Sequence, residues 1–392
     1  MIHSLSPRWH RFGLALAIFV HGCASQRTDV PFQSGGAGAN VAGAVAGGGS
    51  ASGGAGYDVT VGTGAACGEV SAPPQEQAGA IPSSFRWCST GPLVSPIPNE
   101  DHPILSVKDP TIVYYGDRWH VFATTADNNG QWSMVYLSFT DFKDAPNAKL
   151  HYLSDNPALT GYHAAPQVFY FAPQQKWYLI FQSGQPQYTT TDDISRPESW
   201  LRPTNFFTGV PAIVNKTAGG WLDFWVICDE TRCHLFFSDD AGQFYRSETR
   251  LADFPNGFGE PVIAIQGTKE TLFEGGAVYR VQGTERYLAM IEAFGANGHR
   301  YYRSFTADAL DGEWAPLAAE WENPLAATTN VTFASGVEWT RDISHGELIR
   351  SGFDQKLEVS LTDLRFLYQG VGKGTPEYFQ LPYRLGLLTR SY

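Results

Sequence analysis

Clusters of basic residues are scarce in this chain, and their scarcity excludes two classes of partner. The 392 residues include 27 Lys and Arg against 39 Asp and Glu, which gives a formal net charge of −12. Nucleic acids and anionic membrane surfaces are bound through grouped Lys and Arg side chains. We therefore expect no nucleic-acid partner, and no direct binding of a lipid surface by the folded part of the chain.

Sustained helical periodicity is also missing. From about Ser84 onward, short aromatic and β-branched segments alternate with Gly, Pro, Asn and Asp, which is the pattern of strands and turns. The sequence therefore predicts an all-β fold. Aromatic residues make up 14% of the chain, and beyond filling a core they favour sugar ligands, whose apolar C–H faces stack on aromatic rings.

The hydrophobic run Phe12–Val20 is too short to span a bilayer. Arg8 and Arg11 precede it and small residues follow it, which is typical of a secretory signal over residues 1–23. Residues 20–25, VHGCAS, resemble a bacterial lipoprotein cleavage site with Cys23 as the lipidated residue. Plain secretion is the alternative.

Large side chains are nearly absent from residues 34–66, which are mostly Gly, Ala, Ser and Val. Such a composition buries too little apolar surface to offset the entropy of ordering the chain. We therefore predict a disordered tether over residues 24–66, followed by one folded domain over residues 67–392. The predicted location is extracellular or at the cell surface, with a lipid anchor at Cys23.

Repeated Cys-x-x-Cys spacing, which would suggest zinc, does not occur. Cys67, Cys88, Cys228 and Cys233 follow the leader, and an even number of cysteines in an exported protein favours disulfides. Cys228 and Cys233 flank a predicted hairpin turn, so we expect a disulfide across its base. Cys67 with Cys88 would form the second pair.

Five hairpins recur at intervals of roughly 50 to 60 residues, and this spacing favours a five-bladed β-propeller over a sandwich or a barrel. In a propeller the innermost strand of each blade lines the axis, so the starts of the hairpins should meet at one end of it. Those starts carry Asp109, Gln167, Asp223, Glu274 and His345.

Three of these residues are acids, and paired carboxyl groups are the catalytic groups that hydrolyse glycosidic bonds. One carboxyl donates a proton to the leaving oxygen, and the other acts as base or nucleophile at the anomeric carbon. Asp109, Asp223 and Glu274 each stand in apolar or aromatic surroundings, which shift the pKa of a carboxyl group.

Eight ordered segments between about residues 82 and 389 resemble glycoside hydrolase family 62. They are SFRWCSTGPL, KDPTIVYYGDRWHVFATT, GYHAAPQVFYFAP, KWYLIFQSG, WLDFWVICD, LADFPNGFG, LFEGGAVY and ISHGELIRSG. The resemblance implies a secreted α-L-arabinofuranosidase with a five-bladed propeller. Such an enzyme removes arabinofuranosyl side chains from arabinoxylan and arabinoxylo-oligosaccharides with inversion of configuration.

The resemblance also implies a role for each acid. Asp109, in KDP, would be the general base that activates water, and Glu274, in LFEGG, would be the general acid. Asp223, in WLDFW, would orient the proton donor and keep it protonated by like-charge repulsion. Base and acid on separate blades can leave the ~6.5–9.5 Å that an inverting reaction requires.

Further residues are implied around the pocket. Lys108, Gln167 and Arg350 would bind sugar hydroxyls or balance charge, with an interior hydrogen-bonding role as the alternative for each. Trp177 and Tyr368 would carry the xylan backbone, with core packing as their alternative. A calcium ion on the axis is implied, held largely by waters, with His345 as the candidate protein ligand. No organic cofactor is expected, and the protein is expected to be a monomer.

Three alternatives remain open at this point. A β-xylosidase or arabinanase of a related propeller family would share the three acids. A non-catalytic carbohydrate-binding propeller would need the aromatic residues but not the acids. Residues 238–245, SDDAGQFY, match a sialidase propeller box, but the box occurs once, so we expect a tight hairpin there.

Overall fold

Hairpins repeated along the chain build the described structure. The computed structural model describes Cys67, residues 81–374 and residues 378–392, all within one compact unit, Tyr57–Tyr392. In chain order its strands are β1 (Trp87–Ser89), β2 (Ile104–Tyr115), β3 (Arg118–Asp127), β4 (Trp132–Phe139), β5 (His151–Tyr152), β6 (Ala164–Phe171), β7 (Lys176–Gln182), β8 (Pro186–Thr191), β9 (Thr204–Asn205), β10 (Leu222–Cys228), β11 (Arg232–Ser238), β12 (Gln243–Arg250), β13 (Val262–Gln266), β14 (Ala277–Val281), β15 (Tyr287–Phe294), β16 (Arg300–Ala307), β17 (Ala315–Pro316), β18 (Ala319–Glu320), β19 (Asn323–Pro324), β20 (Val331–Phe333), β21 (Ser344–Leu348), β22 (Glu358–Val359), β23 (Arg365–Gly370) and β24 (Arg384–Arg390). Short 3-10 helices in this part of the chain span Phe142–Asn147, Leu153–Asp155, Ala172–Gln174, Pro197–Ser199, Val214–Lys216, Thr328–Asn330 and Tyr378–Gln380.

These strands form the five blades of a propeller. Blades I, II and III are four-stranded antiparallel sheets made of β2–β5, β6–β9 and β10–β13. Blade IV contains β14–β17 and adds β22 parallel to β14, while blade V has the order β20-β1-β24-β23-β21. Strands β18 and β19 form a separate two-stranded sheet. The predicted all-β, five-bladed β-propeller is confirmed.

The inner strands are buried on both faces because each blade packs between two others. In β10, LDFWVIC, six consecutive residues are buried, and in β11, RCHLFFS, another six are. The third strand, β12, regains a partly alternating pattern of buried and accessible residues. The continuous apolar segments of the sequence therefore mark the strands near the axis, and the alternating segments lie further out.

Blade V closes the ring with strands from both ends of the described domain. Strand β1 pairs antiparallel with β24 and parallel with β20, with Trp87 opposite both Arg390 and Val331. The indole of Trp87 is 1% exposed and donates a hydrogen bond to the carbonyl of Leu325. The first described strand is thus a structural member of the last blade.

Both predicted disulfides are confirmed, Cys67–Cys88 and Cys228–Cys233. The second joins opposed residues of β10 and β11, as a pair across a hairpin base should. The predicted signal over residues 1–23, the lipidated Cys23 and the tether over residues 24–66 lie outside the described residues. Within the described ranges, no helix has the length and apolar character needed to cross a membrane.

Candidate active site

The inner strands begin with the same backbone irregularity at one end of the axis. A β-bulge interrupts the pairing of inner and second strands in blades I, II, III and V. Bulges redirect side chains, and a left-handed non-glycine residue costs ~1–3 kcal/mol, a strain that clusters at functional sites. Left-handed residues occupy this point in four blades: Asp109 (φ 47°), Ala165 (φ 51°), Asp223 (φ 55°) and Gly275 (φ 64°).

Asp109 stands on blade I beside a buried cation. Its backbone N–H donates to Gln369 Oε1 at 2.7 Å, and its Oδ2 lies 3.6 Å from Lys108 Nζ. Burial alone would lower the pKa of Lys108, but Asp109 and the phenols of Tyr378 and Tyr383 outweigh it and raise that pKa well above its usual value. Lys108 is therefore a permanent positive charge next to the Asp109 carboxylate.

Asp223 and Glu274 are joined through the backbone of the blade IV segment. Asp223 Oδ2 accepts a hydrogen bond of 2.8 Å from the N–H of Gly275, the residue after Glu274. Burial, opposed by His345 and reinforced by neighbouring carboxylates, raises the pKa of Asp223 to about 6. The Glu274 side chain is 18% exposed, more than that of either aspartate.

His345 lies between the two aspartates. Its Nδ1 is 3.4 Å from Asp109 Oδ1 and 3.9 Å from Asp223 Oδ2. Burial disfavours the imidazolium, but the two carboxylates outweigh that effect and raise the pKa of His345. The ring thus adds a second cationic group to the cluster of acids.

A buried cluster of charged side chains lies beside Glu274 and was not predicted from the sequence motifs. Arg300 Nη1 lies 2.6 Å from Glu274 Oε1 and 3.4 Å from Glu292 Oε2. Glu292 is fully buried on β15, and its other oxygen accepts a hydrogen bond from Ser344. Burial raises the pKa of Glu292 to about 7, with Arg300 opposing the rise and an ionised Glu274 adding to it.

Aromatic rings surround Lys108 at the mouth of the site. Lys108 Nζ is 4.4 Å from the centroid of Trp132 and donates to the hydroxyl of Tyr378 at 3.2 Å. The Trp132 ring also neighbours Tyr162 and Tyr378, with centroids 6.0 Å and 6.4 Å away. Tyr162 and Tyr378 are 44% and 39% exposed, so their rings are open to a ligand.

The profile of glycosyl hydrolase family 62 matches residues 86–389. The chain belongs to this family. Over 311 residues it is 44% identical to "Alpha-L-arabinofuranosidase C" of Cellvibrio japonicus (strain Ueda107), an alignment that covers 79% of this chain and 47% of that protein. The chain thus spans about half the length of this curated relative.

Solved structures of family 62 are similar along the whole propeller. The catalytic domain of the Coprinopsis cinerea family 62 α-L-arabinofuranosidase has 51% identity and a TM-score of 0.77, covering 79% of this chain and 98% of that one. A family 62 hydrolase in complex with xylotriose has 47% identity and a TM-score of 0.75, covering 78% and 98%. Both similarities cover the part of the chain that carries the site.

The family 62 fold brings together five of the residues singled out in the sequence. They are Lys108, Asp109, Asp223, Glu274 and His345, which face one another across blades I, III, IV and V. The sequence reading missed Glu292, Arg300, Trp132, Tyr162 and Tyr378. For Glu292 a signal existed, because it lies near the end of the second strand of its hairpin, as Gln369 does in blade V. We find no comparable pattern for the aromatic residues.

Gln167 and Arg350 belong to the framework of the propeller rather than to the cluster of acids. Gln167 makes two hydrogen bonds to the backbone of Val226, which join blade II to blade III. Arg350 Nη2 donates to the carbonyls of Ile112 and Val168, and its Nε lies 2.5 Å from Glu347. The alternative of an interior hydrogen-bonding role therefore describes both residues.

Trp177 and Tyr368 lie in the core. Trp177 is 1% exposed and packs against Tyr115 and Phe353, at the end of blade II remote from the acids. Tyr368 is fully buried, and its hydroxyl is hydrogen-bonded to Ser89. A buried ring cannot stack on a polysaccharide, so we do not place either residue in the site; Trp132, Tyr162 and Tyr378 are the rings near it.

The predicted calcium ion, expected to be held largely by waters, would have few protein ligands among the described residues. None of them form a group of three or more His, Cys, Asp or Glu side chains arranged to hold a metal. His345, the predicted protein ligand, lies 3.4 Å from Asp109 and 3.9 Å from Asp223 through its Nδ1. On the axis, Gln167 and Glu347 already accept hydrogen bonds from backbone N–H groups. Calcium stays a prediction, which elemental analysis of the purified protein checks, and no step below involves it.

Proposed function

We propose that this protein is an inverting α-L-arabinofuranosidase that removes arabinofuranosyl side chains from arabinoxylan. The observation that carries the proposal is the convergence of Asp109, Asp223 and Glu274 at one end of the axis in a family 62 propeller. Their surroundings differ: Asp109 lies beside Lys108 and His345, whereas Glu274 is the most exposed of the three. Contrasting environments of this kind separate a base from an acid.

In the reaction, Asp109 takes a proton from a water molecule while that water attacks the anomeric carbon. Two cationic groups, Lys108 at 3.6 Å and His345 at 3.4 Å, favour the ionised form that a base requires. The bond between the anomeric carbon and the leaving oxygen breaks, and its electrons stay with that oxygen. Glu274 donates a proton to the oxygen, so both products are neutral.

Asp223 supports the acid through the backbone. Its bond to the Gly275 N–H fixes the segment that carries Glu274, and its negative charge opposes a second negative charge there. Both effects favour a Glu274 that is correctly aimed and protonated before the bond breaks.

Arabinoxylan as substrate is supported by the rim of the site and by a relative. Trp132, Tyr162 and Tyr378 offer a row of rings next to the acids, and the family 62 hydrolase described above was solved with xylotriose, an oligomer of the xylan backbone. Neutral, aromatic surfaces suit an uncharged polysaccharide.

Incubation with arabinoxylan, linear arabinan and an aryl β-xyloside tests the substrate. Release of arabinose from arabinoxylan alone supports the proposal. Release of xylose, or cleavage inside arabinan chains, indicates the related propeller enzymes, and binding without release indicates a carbohydrate-binding module.

The stereochemistry has its own test. Proton NMR during the first minutes, before mutarotation, shows the β-anomer if water displaces the leaving group directly. Initial α-anomer, or transfer of arabinose to methanol, would mean a covalent glycosyl-enzyme and would remove Asp109 as general base.

A further inference from the structure

One position recurs in every blade near the axis. In blades I, II and V its side chain caps a backbone N–H of neighbouring structure, and in blade IV it holds a different kind of residue. The position is the second-strand residue opposite Lys108, Ala164, Leu222, Glu274 or Ser344. In blades I, II, III and V it holds a neutral polar residue, in that order Thr124, Gln182, Ser238 and Gln369. In blade IV it holds a carboxylate, Glu292.

A neutral side chain is sufficient for the structural task. Thr124 Oγ1 accepts the N–H of Ala165, and Gln182 Oε1 accepts the N–H of Asp223. Gln369 Oε1 does the same for Asp109. The negative charge of Glu292 is therefore not required by the fold, although its side chain is completely buried.

The hydrogen bonds around Glu292 have a fixed direction that starts at the general base. Because the N–H of Asp109 must donate, the carbonyl oxygen of Gln369 faces it, and the Gln369 amide NH₂ donates to Ser344 Oγ at 3.0 Å. The hydrogen of Ser344 is then directed at Glu292 Oε1. Arg300 donates to Glu292 Oε2. Both oxygens of Glu292 thus accept hydrogen bonds, which oppose the rise in its pKa that burial causes.

The charges of the cluster balance if one of its carboxyl groups keeps a proton. Three cationic groups, Lys108, Arg300 and His345, face four carboxyl groups, Asp109, Asp223, Glu274 and Glu292. With Glu292 ionised, three carboxylates balance the three cations and the fourth carboxyl keeps a proton. Glu274 has the most exposed side chain of the four, so it is the one that can reach a leaving group.

We propose that Glu292 is a positioning residue that holds Arg300 and thereby leaves Glu274 protonated for transfer to the leaving oxygen. Arg300 Nη1 contacts both carboxyl groups, and in this proposal the Glu292 carboxylate balances its charge before the reaction, while Glu274 is neutral. As the glycosidic bond breaks, the proton moves from Glu274 to the leaving oxygen. Arg300, already 2.6 Å from Glu274, then stabilises the new carboxylate. This inference rests on the proposed role of Glu274 as general acid.

Glu292→Gln is the direct test, because Gln182 and Gln369 show that glutamine fits the equivalent position. Two substrates separate proton donation from general damage: arabinoxylan, whose leaving group needs a proton, and 4-nitrophenyl α-L-arabinofuranoside, whose nitrophenolate leaves without one. We expect kcat to fall by at least ~10²-fold on arabinoxylan and by less than ~10-fold on the nitrophenyl glycoside. Ser344→Ala, which removes the donor to Glu292, should show the same selectivity.

Matched controls exist elsewhere in the propeller. Glu347→Gln alters a fully buried glutamate that also pairs with an arginine, and Ser304→Ala removes a buried hydroxyl on β16. Both controls should affect the two substrates equally. An equal loss on both substrates in Glu292→Gln, or no loss on either, would overturn the inference; if circular dichroism shows that this variant is misfolded, Ser344→Ala decides by the same criterion.

Glu274→Ala distinguishes a failure of this inference from a failure of the proposed function on which it rests. If Glu274 is the acid, this variant loses arabinoxylan hydrolysis and keeps most of its activity on the nitrophenyl glycoside. Equal loss on both substrates in Glu274→Ala would remove Glu274 as acid and the inference with it. Selective loss in Glu274→Ala without selective loss in Glu292→Gln would leave the proposed function standing and refute the role of Glu292 alone.

Discussion

At the scale of single residues, the two proposed catalytic carboxyls owe their different tasks to their neighbours. Asp109 lies beside two cationic side chains, and its backbone N–H is hydrogen-bonded to a side chain. Glu274 instead contacts the guanidinium of Arg300, which also contacts the buried Glu292. Neither difference is visible in the residue type, since aspartate and glutamate have nearly the same intrinsic pKa.

Asp109→Asn and Glu274→Gln should each lower kcat on arabinoxylan by at least ~10²-fold, the usual minimum for a general base or acid. Each change keeps the shape of the side chain, so the melting temperature should stay close to that of the wild type. Steady-state kinetics and thermal unfolding measure the two quantities. Near wild-type turnover in either variant would exclude that residue from proton transfer.

Asp223→Asn should shift the alkaline limb of the pH–rate profile to lower pH as well as reduce turnover. Burial raises the pKa of Asp223 to about 6, so above that pH the wild-type side chain is negative. That negative charge disfavours ionisation of Glu274, and the neutral amide does not, so the proton donor is lost at lower pH. A profile with unchanged limbs would show that Asp223 acts only through its bond to Gly275.

At the scale of strands and turns, the site depends on backbone conformations that most residues avoid. Gly275 has φ 64°, and a Cβ built there would lie 2.9 Å from the Tyr302 hydroxyl and 3.3 Å from Glu292 Oε2. The glycine thus permits both the turn after Glu274 and the close packing of that turn against Tyr302 and Glu292 of the same blade.

Gly275→Ala should destabilise the fold by ~1–3 kcal/mol from the left-handed conformation, with an added penalty from the contact with Tyr302. Gly283→Ala is the matched control, because Gly283 also has positive φ, 76°, but open space around its Cβ position. Urea unfolding should show the larger loss for Gly275→Ala, and arabinoxylan turnover should fall in that variant alone. Equal losses of stability would mean that the close contact relaxes freely.

Much of this element-level picture could be predicted from the sequence, and the errors have a geometric cause. Hairpin spacing predicts the blades, and strand starts predict where the acids meet. Trp177, however, lies near the start of the second strand of its hairpin, opposite Tyr170, and so is at the other end of the blade from Ala164 and Gln182. Tyr368 precedes the site residue Gln369, and successive residues of a strand face opposite sides.

Contacts between blades could not be predicted from the sequence. Glu292 of blade IV and Ser344 of blade V are 52 positions apart. Their meeting depends on how the blades are arranged around the axis, which no local pattern encodes. The aromatic residues at the rim are hidden for the same reason, since Lys108 and Tyr378 are 270 positions apart.

At the scale of the whole molecule, the segment before the propeller should be dispensable for catalysis. Deleting the residues before Cys67 should leave kcat and KM on arabinoxylan unchanged, because a Gly, Ala and Ser-rich segment adds no core. The Cys67–Cys88 disulfide is retained in this variant. A marked change in kcat would show that the segment takes part in folding or in the site.

The lipid anchor is a separate proposal, supported by the leader and the VHGCAS segment. The full-length protein should partition with membranes, and Cys23→Ala should not. Fractionation followed by an activity assay distinguishes the two. Recovery of the wild type entirely in the soluble secreted fraction would refute the anchor.

The pairing of β1 with β24 in blade V also determines when the ring can close during synthesis of the chain. Thr90, which follows β1, and Leu387 of β24 are joined by a hydrogen bond and are 297 positions apart. As the chain is made from its N-terminal side, β1 stays without its antiparallel partner β24 until the four other blades have been made. Only the emergence of β24 completes the ring. A prematurely ended product would lack that strand, so its last blade would expose an unpaired edge, a feature that marks incomplete copies for aggregation or proteolysis.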